Sequence, residues 1–206
     1  MKSFFRLATA LIFLHSYSSI NATPSGSLKP AAVGKTGPSK IFPFKEYKDF
    51  QISDGIAGKS LDKARKIFVE PFQGVDMSQL TQNDLNNLIT MARAATDNEK
   101  FFNEAMEKAG ATKRHPNVPL SAGKTANKIL KLVGSMQVIE LHKRLNLHPG
   151  NPDGRLKELQ TKLTNNLKLD HHYAGKKMVS YLSVGQSGGA KQATKPIKGQ
   201  ASQGGK

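Results

Sequence analysis

The chain has 206 residues, of which 37% are hydrophobic, with no cysteine, no tryptophan and a formal net charge of +16 at pH 7. The absence of cysteine excludes disulfides and cysteine-ligated zinc, so packing alone must hold the fold. This length supports one domain with flanking tails.

The first 22 residues have the pattern of a secretory signal peptide. Lys2 and Arg6 precede the apolar run 7–14, and a polar stretch then leads to Ala22. The apolar run is roughly half the ~20 residues that a membrane-spanning helix needs, and nothing later in the chain compensates. We therefore predict cleavage after Ala22, with cleavage after Ser18 or Ser19 as the alternative, a secreted protein and no transmembrane segment. The alternative is an N-terminal membrane anchor.

The segments on either side of the core have low-complexity compositions. Residues 23–45 are rich in proline and glycine with little periodicity, which predicts a disordered linker. Residues 183–206 are rich in glycine, glutamine, serine and lysine, and they predict a disordered tail. The domain itself is expected over residues 46–182.

The first half of the domain contains two stretches with helical periodicity. The first covers about residues 56–68 and is stopped by Pro71. The second begins near Thr81, where Thr81 and Asp84 form a capping signal, and it continues or restarts at Asp97 before Gly110. A short strand is expected at residues 49–53.

The second half of the domain contains two longer helical stretches. The third, about residues 122–145, is apolar over a wide arc, which predicts the central and most enclosed helix. The fourth is expected from Pro152 to about residue 182 and would be roughly 40–45 Å long. Residues 113–120 read as a loop. These elements predict an all-α fold, an antiparallel bundle of four to five helices.

Positive charge is concentrated in the second half of the domain. Residues 46–111 contain eight Lys and Arg against eleven acids, whereas residues 112–182 contain thirteen against four. This asymmetry favours an anionic partner, and solubility with an internal match to the acidic half is the alternative. The candidate anion or nucleic-acid contacts lie on the third and fourth helices: Lys124, Lys128, Lys131, Lys143, Arg144, Arg155, Lys157, Lys162, Lys168, Lys176 and Lys177.

Motifs that would indicate catalysis or a cofactor are weak. The tripeptide 123–125 (GKT) resembles the end of a phosphate-binding loop, but Val118 stands where that loop needs glycine. The only local cluster with metal-binding side chains is 170–172 (DHH), and a solvated helix surface explains it better. Glu140, Glu158 and Asp170 are explained by salt bridges. We therefore predict a protein that is not an enzyme and has no cofactor and no metal.

Three stretches together resemble a group of cysteine-free small secreted proteins of filamentous fungi: FQISDGIAGKSLDKARKIF at 50–68, AGKTANKILKLVGSMQVIELHKRLN at 122–146 and LKELQTKLTNNLKLDHHYAG at 156–175. The resemblance covers roughly residues 50–175, and its motifs identify a family but no chemistry. It implies a secreted helical protein without established enzymatic activity, some members being treated as candidate effectors of plant-associated fungi. The lysine-rich tails depart from the family pattern.

Two hypotheses of function follow. The first is a secreted effector that modulates a host process by binding a host protein or an anionic polymer, with host DNA as the target if it reaches the host nucleus. The second is a structural protein whose basic tails adhere to the wall or surface of the secreting cell. A hydrolase is a third class, for which the sequence offers no residues in a working arrangement. The sequence does not predict the oligomeric state.

Overall fold

A computed structural model describes residues 37–147 and 150–184, and helices dominate it. The predicted all-α class is confirmed. The predicted signal peptide, residues 23–36 of the predicted linker and residues 185–206 of the predicted tail lie outside the described residues. The helices are α1 Tyr47–Phe50, α2 Ser60–Phe68, α3 Gln82–Asp97, α4 Glu99–Lys108, α5 Val118–Arg144, α6 Pro152–His172 and α7 Tyr181–Val184.

Helix α5 is the axis around which the other long helices pack. Helices α2, α3, α4 and α6 all contact it. Its side chains are buried around most of its circumference, as the wide apolar arc predicts, and Ile129, Leu130 and Leu141 are completely enclosed. The helix begins earlier than predicted because the Asn117 side chain caps it and Pro119 fits its first turn. Residues 118–120, predicted as part of a loop, are therefore helical.

The second predicted helix is divided into α3 and α4. Thr81 and Asp84 form the predicted capping box at the start of α3. The break falls at Asn98, whose side chain donates to the Ala94 carbonyl. Gly110 follows the end of α4 with a φ of +64°, a left-handed conformation that favours glycine.

The fourth predicted helix is shorter than expected. Helix α6 ends at His172, so it spans roughly 31 Å rather than 40–45 Å. The chain then turns at Gly175, which has a φ of +79°, and enters a strand. Strand β1, Gly55–Ile56, pairs antiparallel with strand β2, Lys177–Met178.

Two predictions near the start of the domain are wrong for local reasons. The expected strand at 49–53 is replaced by the short helix α1 and an extended segment, and pairing occurs at β1 instead. The first long helix begins at Ser60 rather than at residue 56, because residues 55 and 56 pair with β2. Helix α2 then ends at Phe68, ahead of a 3-10 turn that contains Pro71.

The folded region extends into the predicted linker. Phe42 is buried and stacks on Phe72 with ring centroids 5.1 Å apart. The Asp84 carboxylate accepts hydrogen bonds from the backbone N–H groups of residues 40–42. Residues 39–42 therefore lie against the start of α3, and the domain begins before Glu46.

The described helices differ from membrane spans. None of the helices in residues 37–147 and 150–184 combines the length and the apolar character that crossing a bilayer requires.

Candidate anion-binding surface

The eleven predicted contact residues are divided among three places. Lys124, Lys128 and Lys131 lie along one stripe of α5 beside α4. Six more lie at the end of α5 or on α6, and the last two follow α6: Lys143, Arg144, Arg155, Lys157, Lys162 and Lys168, then Lys176 and Lys177. The structure thus places nine of the eleven on the predicted pair of helices.

The first group, which we call the α5 lysine cluster, consists of Lys124, Lys128 and Lys131 around Glu99. Their spacing of four and three residues puts the lysines on one helix face. Glu99 is the first residue of α4; its carboxylate accepts a hydrogen bond from Lys131 and lies 3.7 Å from the Lys128 ammonium. The Lys124 ammonium instead donates to Asn103 Oδ1.

The ionisation of this cluster reflects both burial and charge. Burial alone would raise the pKa of Glu99, but the hydrogen bond from Lys131 and the neighbouring ammonium charges bring that pKa below its ordinary value. Burial, followed by the positive charge of Lys128, lowers the pKa of Lys124. The cluster therefore stabilises the charged form of its acid and disfavours the charged form of one of its lysines.

Several cations of α6 are held by neighbouring acids. Glu158 accepts a hydrogen bond from Lys162 and another from Arg155, and both cations lower its pKa. The Lys143 Nζ atom lies 2.6 Å from Asp153 Oδ1, and this ion pair joins the end of α5 to the start of α6. The hydrogen bond to Asp153 and its negative charge raise the pKa of Lys143. These exposed ion pairs contribute little to stability.

Other cations have no acidic partner. Arg144, Lys157, Lys168 and Lys177 are exposed and form no ion pair with any residue that the structure describes. Lys157 and Lys168 lie on the side of α6 opposite its buried Leu159, because they are two and nine residues away from it along the helix. They project into solvent.

The prediction that Lys176 and Lys177 continue the face of the fourth helix is wrong. Lys176 lies in the turn after α6, with its ammonium 5.7 Å from the centroid of the Tyr173 ring. Lys177 belongs to β2, opposite Ile56. In the sequence, Met178 continues the apolar stripe predicted for the fourth helix, which we call the α6 stripe: Leu156, Leu159, Leu163, Leu167 and Ala174. Met178 is buried, but it reaches the core from a strand.

Positive charge dominates the surface even after pairing. Within the described residues, five of the eleven cations are paired with three acids, Glu99, Asp153 and Glu158, so the eleven keep an excess of eight positive charges over these acids. Sequence reasoning missed Glu99, which belongs to the acidic first half of the domain. Its position at the start of a helix was the available signal, but its partners are about thirty residues away.

The alternative sites weighed from sequence have structural explanations. Asp170 is buried and accepts hydrogen bonds from the Ser60 hydroxyl and from the backbone N–H groups of Gly58 and Ser60, so it is not a salt-bridge residue. Gly123 is buried inside α5 rather than in a phosphate-binding loop. In the part of the chain that the structure describes, no three His, Asp or Glu side chains are grouped as metal ligands would be.

An open groove lies between α3, α5 and α6. It has a volume of about 440 Å³, and its floor is apolar, with Ile89, Ile139 and Leu159. Arg93, Asp97 and Arg155 line its polar part. These charged residues leave the groove an excess of one positive charge above an apolar floor, in contrast to the excess of two in the α5 lysine cluster.

One family model matches the chain. It is described as Domain of unknown function (DUF8454), and it matches residues 42–182. No curated protein and no solved structure matches the chain. The matched range begins at the buried Phe42 and ends in α7, so it coincides with the folded region rather than with the predicted domain start at Glu46.

Proposed function

The chain belongs to the family Domain of unknown function (DUF8454), and we propose that it is a secreted, non-enzymatic effector that binds an anionic polymer of a host cell through its basic second half. The observation that carries the proposal is that four of the predicted contact residues in the basic second half are exposed and have no acidic partner among the described residues: Arg144, Lys157, Lys168 and Lys177. Host nucleic acid is the polymer that we take as the test case.

The spacing of these cations favours a polymer over a small ligand. Lys157 and Lys168 are eleven residues apart on one helix, which corresponds to roughly 16 Å along its axis. A duplex carries one phosphate about every 3.4 Å along each strand, so one polymer can contact both ammonium groups whereas a single small anion cannot. Such contacts position a partner without reading its sequence.

Three of the four acids in residues 112–182 are held by the fold or by neighbouring cations, which supports a binding role over a catalytic one. Asp153 and Glu158 are held in ion pairs, and Asp170 is buried as a helix-end anchor. General acid and base catalysis by carboxyl groups needs side chains that are free to face a substrate. These three side chains are committed to the fold or to neighbouring cations.

The proposal is tested by comparing two variants of equal net charge. The first replaces the unpaired cations, R144Q/K157Q/K168Q/K177Q. The second replaces exposed lysines elsewhere and serves as the control, K45Q/K48Q/K66Q/K108Q. Fluorescence titration of chains 23–206 with a duplex of about 20 base pairs should show at least a tenfold loss of affinity for the first variant and less than a threefold loss for the second. Equal losses, or a wild-type chain that does not bind, would refute the proposal.

The same cations would hold the protein on acidic polymers of the secreting cell, which is the second candidate function. Cell fractionation separates the two. An effector accumulates in the culture fluid and in host tissue, whereas a wall-bound structural protein stays with washed walls until high salt releases it. A tagged chain that reaches host nuclei during infection would support the nucleic-acid form of the proposal.

A further inference from the structure

The α5 lysine cluster differs from the solvent-projecting cations of α6, and we propose that it is a discrete site for one compact dianionic group, a phosphate monoester. This inference rests on the proposed function, because it names the part of the basic surface that would hold a single anionic group of the partner. The site consists of the three lysines, Asn103 and Glu99.

The geometry of the cluster is fixed by contacts between two helices. Glu99 holds the ammonium groups of Lys128 and Lys131 on one side. Asn103, one turn further along α4, holds the ammonium of Lys124. All three ammonium groups are therefore held before any ligand arrives, which lowers the entropy cost of binding.

The cluster is also partly removed from water. The exposed fraction of the side chain is 34% for Lys128, 25% for Lys131 and 22% for Glu99. Charges in such a position interact more strongly than fully solvated ones. Repulsion between the lysines is therefore stronger here than on the outer face of α6.

The charges of the cluster match a dianion. Three ammonium groups and one carboxylate leave an excess of two positive charges. Lys124 is the member whose ammonium contacts a neutral amide instead of an acid. A dianionic oxyanion would neutralise the excess and accept hydrogen bonds from lysine ammonium groups, which commonly bind phosphate in proteins.

The dimensions favour a compact group. Lys124 and Lys131 are seven residues apart, roughly 10 Å along α5, and Lys128 lies between them. Lysine side chains are long enough to reach one tetrahedral group over this distance, and Glu99 already draws the ammonium groups of Lys128 and Lys131 toward one point. The cations at Lys157 and Lys168 are more widely spaced, and no acid in the described part of the chain is shared between them.

Thermal unfolding with inorganic phosphate and with sulfate tests this site. The comparison is between wild type, K124Q, K124R and the control K157Q, with sodium chloride at matched ionic strength as the reference. At low millimolar concentration, where the general stabilising effect of these salts on folded proteins is small, we expect both oxyanions to raise the melting temperature of wild type, K124R and K157Q above the chloride value, and to leave K124Q at the chloride value. Without oxyanion, K124Q should melt at or above the wild-type temperature, because it removes a like-charge repulsion.

The outcomes separate this inference from the proposed function. The phosphate site would be overturned if phosphate and sulfate raised the melting temperature of wild type no more than chloride does. It would also be overturned if K124Q showed the same rise as wild type, even if wild type still binds duplex. Conversely, loss of the oxyanion effect in K124Q alone supports the site even if the four-residue variant binds duplex normally. A K124Q chain that does not fold would also overturn it, since the repulsion argument requires this variant to be stable.

Discussion

At the scale of single residues, two buried carboxylates join segments that are distant in the sequence. Asp84 accepts hydrogen bonds from the Ser39 hydroxyl, 2.6 Å away, and from Thr81, whose N–H lies 2.9 Å away. Asp170 similarly holds the end of α6 to the start of α2 through Ser60. A single carboxylate thus satisfies several backbone donors that would otherwise be buried without partners.

The substitution Asp84→Asn tests this role. The amide replaces one acceptor oxygen with a donor, so it leaves buried N–H or O–H groups unpaired and removes charge-assisted hydrogen bonds. We expect the free energy of unfolding to fall by about 3 kcal/mol. The control D76N changes an exposed capping residue and should cost less than about 1 kcal/mol. Chemical denaturation measures both, and equal effects would contradict the assignment.

The effect of Asp84 should depend on pH. Burial raises the pKa of Asp84, but hydrogen bonds from Ser39, Thr81 and Phe42 outweigh it and hold the pKa far below its ordinary value. The carboxylate therefore stabilises the fold above its unfolded pKa of about 4, and this contribution declines as the pH falls toward the folded pKa. The stability difference between wild type and D84N should stay constant from pH 7 to pH 5 and shrink below about pH 4. A difference that shrinks near neutral pH would contradict this.

Sequence reasoning predicted the local contacts of these residues but not the distant ones. The Thr81 and Asp84 cap depends on three-residue spacing, so it is readable from the chain. The bonds from residues 39–42 to Asp84 span more than forty residues, and no periodicity encodes them. The hydrogen bonds to Asp170 also come from residues more than one hundred positions away. The sequence alone therefore indicated an exposed residue beside His171 and His172.

At the scale of elements, close packing around α5 determines where small residues are required. A Cβ on Gly123 would lie 2.2 Å from the Val179 carbonyl oxygen, which follows β2, and 3.0 Å from the Ser53 carbonyl oxygen. A Cβ on Gly134 would meet the Phe68 ring at 3.0 Å. The first contact is with backbone, which cannot easily move, whereas the second is with a side chain.

Alanine substitutions at these two glycines should therefore differ. We expect Gly123→Ala to lower the free energy of unfolding by about 3 kcal/mol, although alanine gains roughly 1 kcal/mol in helix propensity. The matched variant G134A should cost less than about 1.5 kcal/mol, because Phe68 can shift by a few tenths of an ångström. Thermal and urea unfolding measure the loss of stability in each variant. A larger loss for G134A than for G123A would contradict the packing described for α5.

The elements also show why the sequence predicted some boundaries and missed others. The wide apolar arc of α5 reflects real burial on nearly every side, so it identified the central helix. The stripe of α6 continued through Met178 because that side chain is buried too, although it reaches the core from β2. Burial periodicity cannot distinguish a helix from a turn that returns the chain to the same core.

At the scale of the whole molecule, the uneven charge of the sequence becomes a surface on which some cations are paired and others are not. The basic character of residues 112–182 was readable from the composition. The division between paired and unpaired cations was readable only in part. The predicted salt-bridge role of Glu158 is confirmed by partners three and four residues away, whereas Glu99 comes from the other half of the domain. Only the folded arrangement identifies Arg144, Lys157, Lys168 and Lys177 as free of acidic partners within the described residues.

The salt dependence of duplex binding tests the polyanion proposal most directly. Each phosphate contact contributes about 0.9 to the slope of the logarithm of affinity against the logarithm of salt concentration. The variant R144Q/K157Q/K168Q/K177Q should therefore have a slope shallower than that of wild type by about 3 to 4, while K45Q/K48Q/K66Q/K108Q keeps the wild-type slope. A wild-type affinity that does not change with salt, or the same slope for all three proteins, would contradict the account.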